Sequence, residues 1–242
     1  MFNVVGFTDK GLYREKNEDC ILINKTTSQG GKIEGRFEDS FIVGIADGVG
    51  GRPAGEVASK IILEKISTID LQKDAPELLL LKVEEASDCI RAIEKENIQM
   101  KGMASTLTLL VVSDTKIYTI NVGNSRIYKL KNGFLIQMTE DDTLIKDYSY
   151  ENVFDNLRNI ITKSINANYE DGLSQKKYDR PIDSSEFYIL TSDGVHDYIS
   201  IDDLELILND NITLEEKVTQ ISDKILGIKN HDNYSMVLVE KL

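Results

Sequence analysis

Four short runs of β-forming residues follow one another between residues 106 and 138, and no helical pattern separates them. They cover residues 106–112, 116–122, 126–130 and 134–138, and the segments between them contain Gly, Asn, Asp and Ser. These residues favour tight turns, and strands joined by tight turns pair in antiparallel fashion. We therefore expect an antiparallel meander in this part of the chain.

Helical patterns occur in two pairs outside this region. Residues 54–69 place apolar side chains on one helical face, and a second helix follows with the same spacing. The apolar positions of the two helices are Val57, Ile61, Ile62 and Ile66, then Leu79, Val83, Ala86, Ile90 and Ile93. Near the end of the sequence, two further helices are predicted to begin at Ser200 and at a Thr213–Glu216 capping box.

The remaining apolar runs predict strands at residues 20–24, 41–46, 187–191 and 236–239. Because strands and helices are grouped and do not alternate, the pattern favours a layered α+β fold over a βαβ fold. Only 3 prolines are present and no segment has the composition of a linker, which predicts one domain over residues 1–242.

Residues 141–185 are polar and irregular, apart from a few apolar positions. Those positions suggest one short helix and are Val153, Phe154, Leu157, Ile160 and Ile161. Long polar segments inside a compact domain are usually functional or mobile.

The charge balance restricts the partners. With 28 basic and 41 acidic residues the net charge is -13, so the chain repels a phosphate backbone and we expect no nucleic-acid partner. The first ten residues do not resemble a signal peptide, and the apolar run at 107–112 is too short to span a membrane. Cys20 and Cys89 lie in apolar patterns typical of buried free thiols. We expect a cytoplasmic protein with no membrane partner.

Acidic residues stand at the ends of four predicted strands. Glu18 and Asp19 precede the strand at 20, Asp47 ends the strand at 41–46, Asp193 follows 187–191, and Asp232 precedes the last strand. Carboxylates held at a sheet edge suit an oxygen-ligated Mg²⁺ or Mn²⁺ site. Zinc is a poor candidate, since the chain has 2 histidines and no paired-cysteine motif. Each signal alone is more often a turn residue than a ligand.

The neighbours of these acids resemble the motifs of one family. Residues 9–19 (DKGLYREKNED) resemble D-x-G-x-x-R-x-x-N-E-D, the opening motif of the metal-dependent protein phosphatases of type 2C. Further motifs follow in the family's order: residues 47–51 resemble D-G-x-G-G, 102–106 resemble G-x-x-x-T, and 123–126 resemble G-[DN]-S-R, before 192–194 (SDG) and 232–233 (DN). Six ordered motifs across the chain are much more specific than any one of them.

The resemblance implies a fold and a ligand set. The fold is a four-layer α-β-β-α sandwich, with two central, mostly antiparallel sheets flanked by helix pairs. The chain is then a single phosphatase domain with a variable flap at about 141–185. Two Mn²⁺ or Mg²⁺ ions are implied, with Asp47 bridging both and Gly48, Asp193 and Asp232 as the other direct ligands. Glu18 and Asp19 are implied to act through metal-bound waters.

The resemblance also implies a reaction. A water that bridges the two metals attacks the phosphorus of a phosphoserine or phosphothreonine monoester in line with the leaving oxygen. Arg14 is similar to the family's phosphate-binding arginine, and its planar guanidinium suits that role. The expected partners are phosphorylated proteins, together with a cognate serine/threonine kinase and its targets. Cysteine-based phosphatase chemistry is not expected, because Cys20 and Cys89 lack an arginine-rich loop.

This sequence departs from the family pattern at three positions. Val49 stands where some members have histidine as a proposed general acid, so the proton donor is unassigned. Asn124 replaces an aspartate that helps hold a third metal, which predicts a weak third site. Asp142 replaces the histidine of T-x-D-H-[ST]. His196 and His231 are expected to be structural or exposed.

Two other functional classes stay open. One is a catalytically weak or inactive relative that acts as a phosphoprotein-binding regulatory module. It is less favoured, because Asp47, Asp193, Asp232 and Arg14 are all present. The other is a metal hydrolase that acts on a phosphodiester or a small phosphate, which the ligand set alone does not exclude.

Overall fold

Two six-stranded sheets form the centre of the protein. The computed structural model describes residues 1–38, 40–71, 78–113, 116–144, 160–170, 172–179 and 186–242. In chain order its strands are β1 (Phe2–Asp9), β2 (Asp19–Ile23), β3 (Thr26–Ser28), β4 (Gly31–Phe37), β5 (Phe41–Asp47), β6 (Ala104–Ser105), β7 (Leu107–Val112), β8 (Lys116–Val122), β9 (Arg126–Lys131), β10 (Phe134–Gln137), β11 (Ile165–Asn166), β12 (Ser174–Asp179), β13 (Phe187–Thr191) and β14 (Tyr234–Lys241).

Within these residues, all strand pairs are antiparallel. The first sheet has the order β10-β9-β13-β14-β1-β4 and the second has the order β12-β8-β7-β5-β2-β3, while β11 and β6 form a separate pair. Register places Asp19 opposite Asp47 in the second sheet and Thr8 opposite Ser235 in the first. Strand ends that carry acidic residues therefore meet where the two sheets face each other.

Helix pairs cover the outer faces of the two sheets. The helices are α1 (Gly55–Ile66), α2 (Leu79–Glu96), the one-turn α3 (Asp193–His196), α4 (Ile201–Asn209) and α5 (Leu214–Leu226), with a 3-10 turn at Ile98–Met100. Three buried apolar clusters separate the layers. One lies between α1, α2 and the second sheet, one between the sheets, and one between the first sheet and α4 and α5. The four-layer α-β-β-α prediction is confirmed.

Capping side chains set where α4 and α5 begin. Ser200 Oγ accepts a hydrogen bond from the Asp203 N–H, and Thr213 and Glu216 form a reciprocal capping box. Such a cap typically stabilises a helix by about 1 kcal/mol. Both helix starts agree with the prediction. Among the described residues, no helix is both long and apolar enough to cross a bilayer.

The predicted single meander is wrong. Strands β7 and β8 form a hairpin in the second sheet, but β9 and β10 form a hairpin in the first. Between them, residues 123–125 carry the chain from one sheet to the other. Gly123 has φ +107, and a Cβ there would lie 2.6 Å from Thr106 Cγ2, so the turn needs glycine. Strand β9 pairs with β13, and this puts Ile127 in the core between the sheets.

Other differences are local. In α1 the buried face runs through Ala58, Ile62 and Ile66, whereas Val57 and Ile61 are only partly buried. Strands β1, β3 and β4 were not predicted, and β11 and β12 are regular elements inside the 141–185 segment. The helix suggested for that segment falls mostly on residues 145–159, which lie outside the described residues.

Candidate active site

A polar pocket of about 270 Å³ lies at the edge where the two sheets meet. It is lined by Arg14, Asp47, Gly48, Val49, Gly50, Thr106, Asn124, Ile161, Asp193 and Asp232. Asp47 ends β5 in the second sheet, while Asp193 begins α3 directly after β13 and Asp232 precedes β14 in the first. A larger cavity, of about 480 Å³, lies beside α4 and contains none of the predicted site residues.

Asp19 is a fully buried carboxylate at the base of this region. Its Oδ2 accepts hydrogen bonds from Ser192 Oγ at 2.9 Å and from Ser235 Oγ at 2.6 Å. Its Oδ1 has no hydrogen-bond partner among the described residues. The pKa of Asp19 is raised to about 7, mainly by burial and also by the negative charge of Asp193, although hydrogen bonds from the two serine hydroxyls oppose the shift. A buried, half-satisfied carboxylate of this kind is stabilised by a nearby cation.

Asp47 and Asp193 belong to the same electrostatic cluster. Burial raises the pKa of Asp47 well above its ordinary value, with further contributions from the charges of Asp19 and Asp193. Burial also raises the pKa of Asp193, and nearby Asp197 and Asp232 add to the effect. The two sheets thus bring together carboxylates that repel one another. The oxygen-rich donor set fits a hard divalent cation, which would relieve this repulsion.

Arg14 forms a two-point ion pair with Asp232. Arg14 Nε lies 2.7 Å from Asp232 Oδ1, and Nη2 lies 2.8 Å from Oδ2. Glu18 Oε2 is 3.8 Å from Arg14 Nη1. The hydrogen bonds to Asp232 raise the pKa of Arg14 above its ordinary value, which keeps the guanidinium charged. The predicted phosphate-binding arginine and a predicted metal ligand therefore contact each other.

With the side chains in their present positions, the Arg14–Asp232 ion pair keeps the Asp232 carboxylate from binding a metal ion. In the part of the chain that the structure describes, no three His, Cys, Asp or Glu residues are arranged to hold one metal ion as they stand. Arg14 occupies both oxygens of Asp232, and Asn124 Nδ2 donates to Asp193 Oδ2 at 3.1 Å. Because these contacts are made by side chains on a fixed backbone, rotation of Arg14 and Asn124 would expose the carboxylates.

Backbone hydrogen bonds hold the peptide around Asp47 in place. Asp47 N–H donates to Thr106 Oγ1 at 3.0 Å, and Thr106 N–H donates to the Asp47 carbonyl at 2.8 Å. Gly48 N–H donates to the Glu18 carbonyl at 3.1 Å. Glu18 N–H in turn donates to Asn233 Oδ1 at 2.9 Å. These bonds connect both sheets at the pocket and make its backbone rigid.

Asn124 is buried and turns its amide nitrogen towards Asp193. The turn that carries it is held by Asp142, whose N–H donates to the Gly123 carbonyl at 2.9 Å and whose Oδ2 accepts from Gly123 N–H at 3.2 Å. Asp142, which stands where the family has histidine, therefore holds the turn at Gly123 through two hydrogen bonds. Whether Asn124 holds a metal stays a prediction.

Sequence reasoning missed the residues that support the carboxylates. Ser235 and Ser192 hold Asp19, and Thr8 Oγ1 lies within hydrogen-bond distance of Ser235 Oγ, at 2.7 Å. Asn233 donates through Nδ2 to the carbonyls of Lys10 and Lys16. Ser192 and Asn233 stand inside recognised motifs, but nothing in the sequence marks Thr8 or Ser235 as neighbours of Asp19.

The two histidines lie outside the pocket lining. His196 Nδ1 is 2.9 Å from Thr191 Oγ1, and burial lowers its pKa well below the ordinary value, with the charge of Arg126 adding to the shift. His231 is buried, and its Nδ1 is 2.9 Å from the Ile228 carbonyl oxygen. Both contacts are those of structural residues.

Comparisons with known proteins show similarity to serine/threonine phosphatases. A family model described as "Protein phosphatase 2C" matches residues 3–145. The chain is 29% identical over 250 residues to the serine/threonine phosphatase stp of Listeria monocytogenes serotype 4b, which covers 97% of this chain and 94% of that protein. The crystal structure of serine/threonine phosphatase Stp1 from Staphylococcus aureus is similar, with a TM-score of 0.81 and 26% identity over 100% of this chain and 96% of that chain.

A third comparison concerns the fold alone. The catalytic domain of serine threonine protein phosphatase PstP, solved in complex with two manganese ions, has a TM-score of 0.79 and 23% identity. The match covers 99% of this chain and 99% of that chain. The described sheets and helices therefore correspond to those of solved phosphatases over their whole length.

Proposed function

Since the chain belongs to the protein phosphatase 2C family of metal-dependent serine/threonine phosphatases, we propose that the pocket between the two sheets is its active site. One observation carries this proposal. Asp47 from one sheet, and Asp193 and Asp232 from the other, line a pocket that also contains Arg14, and the buried Asp19 lies opposite Asp47 on the neighbouring strand. The substrates are phosphorylated proteins.

The carboxylate cluster is suited to divalent cations. When bound, two such ions supply an activated water and offset the charge that develops on the phosphoryl group. Asp47, the Gly48 carbonyl, Asp193 and Asp232 would hold them directly, and Glu18 and Asp19 would act through water. Mn²⁺ and Mg²⁺ both fit this all-oxygen donor set. A third ion near Asn124 would bind weakly, because an amide brings no negative charge.

Arg14 binds the phosphoryl group in this proposal. Its guanidinium can bind two phosphoryl oxygens in the way that it now binds the two oxygens of Asp232. Asn233 binds the backbone on both sides of Arg14, at Lys10 and Lys16, and this fixes the position of the Arg14 backbone. Val49 lines the pocket without a group that can transfer a proton, so this side chain does not protonate the leaving oxygen.

Cysteine chemistry is disfavoured by the environment of the thiols. Cys20 is buried, and burial raises the pKa of its thiol to about 12. A thiol with so high a pKa is a poor nucleophile near neutral pH. Cys20 and Cys89 are both free, which supports a reducing compartment, and we place the protein in the cytoplasm.

The wider biological setting is also part of the proposal. Phosphoserine and phosphothreonine in proteins are made by kinases, so a serine/threonine kinase and its targets are the proposed partners. We treat residues 1–242 as one phosphatase domain whose variable flap covers about 141–185. A non-catalytic phosphoprotein-binding role is less favoured, because Arg14, Asp47, Asp193 and Asp232 are retained and line one pocket.

The activity can be tested with two substrate classes. We expect the wild type to hydrolyse a phosphothreonine peptide with millimolar Mn²⁺ or Mg²⁺ and to leave a phosphodiester largely intact. Asp193→Asn should reduce peptide turnover by on the order of 10²-fold or more, since it removes a charged ligand. Asp202→Asn, which alters an exposed acid on α4, is the matched control. Diester hydrolysis without monoester turnover would favour the other class of metal hydrolase.

The support of Asp19 leads to a second prediction. Ser235→Ala removes the 2.6 Å hydrogen bond to Asp19 Oδ2, and we expect it to weaken Mn²⁺ binding by roughly tenfold. Isothermal titration calorimetry of the metal-free protein measures this change. Ser87→Ala is the control, because Ser87 is also buried but donates only to the Asn166 carbonyl. Equal Mn²⁺ affinity in the two variants would show that the serine does not position Asp19.

A further inference from the structure

Two large, exposed apolar side chains belong to the loop that carries Arg14, a residue of the pocket lining. Leu12 and Tyr13 are 64% and 67% exposed, and they directly precede Arg14 in the sequence. The Arg14 guanidinium carbon lies 5.6 Å from the centre of the Tyr13 ring. Leu12 and Tyr13 are not part of the pocket lining themselves, but Arg14 is.

The loop that carries Leu12 and Tyr13 is held rigidly. Both of their N–H groups donate to the His231 carbonyl, at 3.3 and 3.1 Å. Gly11 has φ +66, and a Cβ at this position would lie 2.2 Å from the Asp232 carbonyl oxygen. Asn233 Nδ2 binds the carbonyls of Lys10 and Lys16 on either side of the loop. Because the backbone is already ordered, binding to these side chains costs little loop entropy.

The distance from Arg14 suggests what contacts this pair. If Arg14 binds the phosphoryl group, the substrate peptide passes close to the loop that carries Leu12 and Tyr13, since these residues directly precede Arg14. An extended peptide advances about 3.3 Å per residue, so a side chain one or two positions from the phosphorylated residue reaches Leu12 and Tyr13. This continuity with the phosphate site distinguishes the pair from an isolated apolar surface residue.

We propose that Leu12 and Tyr13 form an apolar platform for a substrate side chain one or two positions from the phosphoserine or phosphothreonine. The inference rests on the proposed function. The platform favours an apolar or aromatic residue over a basic one. Leu12 has no polar group, and the Tyr13 ring already contacts the Arg14 cation, so a second cation there would meet a like charge.

A phosphopeptide panel tests the platform. Phosphothreonine peptides would carry Leu, Phe, Lys, Glu or Gly at each of the two positions on either side, and p-nitrophenyl phosphate would report phosphatase activity without a peptide. For the wild type we expect kcat/KM to be about tenfold higher with Leu or Phe than with Gly or Lys at one position. The difference should lie in KM.

Variants assign the preference to the platform. The Leu12→Ala/Tyr13→Ala double variant should lose most of the tenfold preference, whereas Tyr13→Phe, which keeps the ring, should retain it. Phe134→Ala, at an exposed apolar residue of β10, is the control and should retain it too. The platform is contradicted if the wild type prefers Lys or shows no preference, or if the double variant keeps the preference. Failure of the wild type on every substrate, including p-nitrophenyl phosphate, would instead reject the proposed function.

Discussion

Asp47→Asn is expected to lower kcat/KM for a phosphothreonine peptide by on the order of 10³-fold or more, at any Mn²⁺ concentration up to several millimolar. Asp47 is the proposed ligand of both ions, and asparagine keeps its size but removes the charge. The substitution therefore affects both cations at once, which is why its effect should exceed that of Asp193→Asn. Release of inorganic phosphate from the peptide measures the loss.

The same variant should not lose its fold. Burial and the charges of Asp19 and Asp193 raise the pKa of Asp47, so its ionised form destabilises the metal-free protein. An acid with a raised folded-state pKa reduces stability as pH rises above its unfolded value of 3.8. Metal-free Asp47→Asn should therefore be more stable than wild type by at least about 1 kcal/mol at pH 8, and the gain should be smaller at pH 5.

Urea unfolding in EDTA at the two pH values measures this stability difference, with Asp202→Asn as the control. A variant that is inactive and also much less stable than wild type at pH 8 would contradict the electrostatic account, because lost folding would then explain lost activity.

Arg14→Ala is expected to lower kcat/KM by about 10²- to 10³-fold, the usual effect of removing one charged donor to a developing phosphoryl charge. The variant should also bind Mn²⁺ more tightly than wild type. Arg14 holds both oxygens of Asp232 in hydrogen bonds of 2.7 and 2.8 Å, and a cation must displace it to use that carboxylate. Activity and metal affinity should therefore change in opposite directions.

Two further variants define the role of Arg14. Arg14→Lys keeps the charge but not the two-point geometry, so its kcat/KM should fall between those of wild type and Arg14→Ala. Arg36→Ala removes an exposed arginine on β4 and should behave as wild type. Calorimetric Mn²⁺ titration and peptide kinetics are measured on the same samples. If Arg14→Ala binds phosphopeptide normally, Arg14 is not the phosphoryl-binding residue.

The places of the acidic residues in the fold could be predicted because these residues stand at strand ends. Asp47 ends β5 and Asp193 follows β13, and both strands were predicted within a residue of their ends. A short apolar run that ends near an Asp-Gly pair indicates where the strand stops. Fixed strand ends then bring the acidic residues to one edge once the two sheets face each other.

The contacts between these residues could not be predicted. Arg14 and Asp232 are 218 positions apart, and local pattern carries no information about such a pair. Ser235 looks like an ordinary polar residue within an apolar strand. In the structure Ser235 lies opposite Thr8 in the first sheet, and its hydroxyl donates to Asp19 of the second sheet.

The prediction of a single meander was wrong for a related reason. Residues 123–125 have the composition of a hairpin turn, and composition does not specify which strand β9 will join. The choice is made by pairing with β13, more than fifty residues further along the chain. Strands such as β4 were missed because this edge strand is largely exposed and lacks a continuous apolar run.

The most direct test of the central claim is a count of bound cations. Calorimetric titration of metal-free wild type with Mn²⁺ should give two equivalents of saturable binding, and Asp47→Asn should give none over the same concentration range. Asp202→Asn should match the wild type. If Asp47→Asn instead bound two equivalents with wild-type affinity, the carboxylates at the edge of the two sheets would not form the metal site.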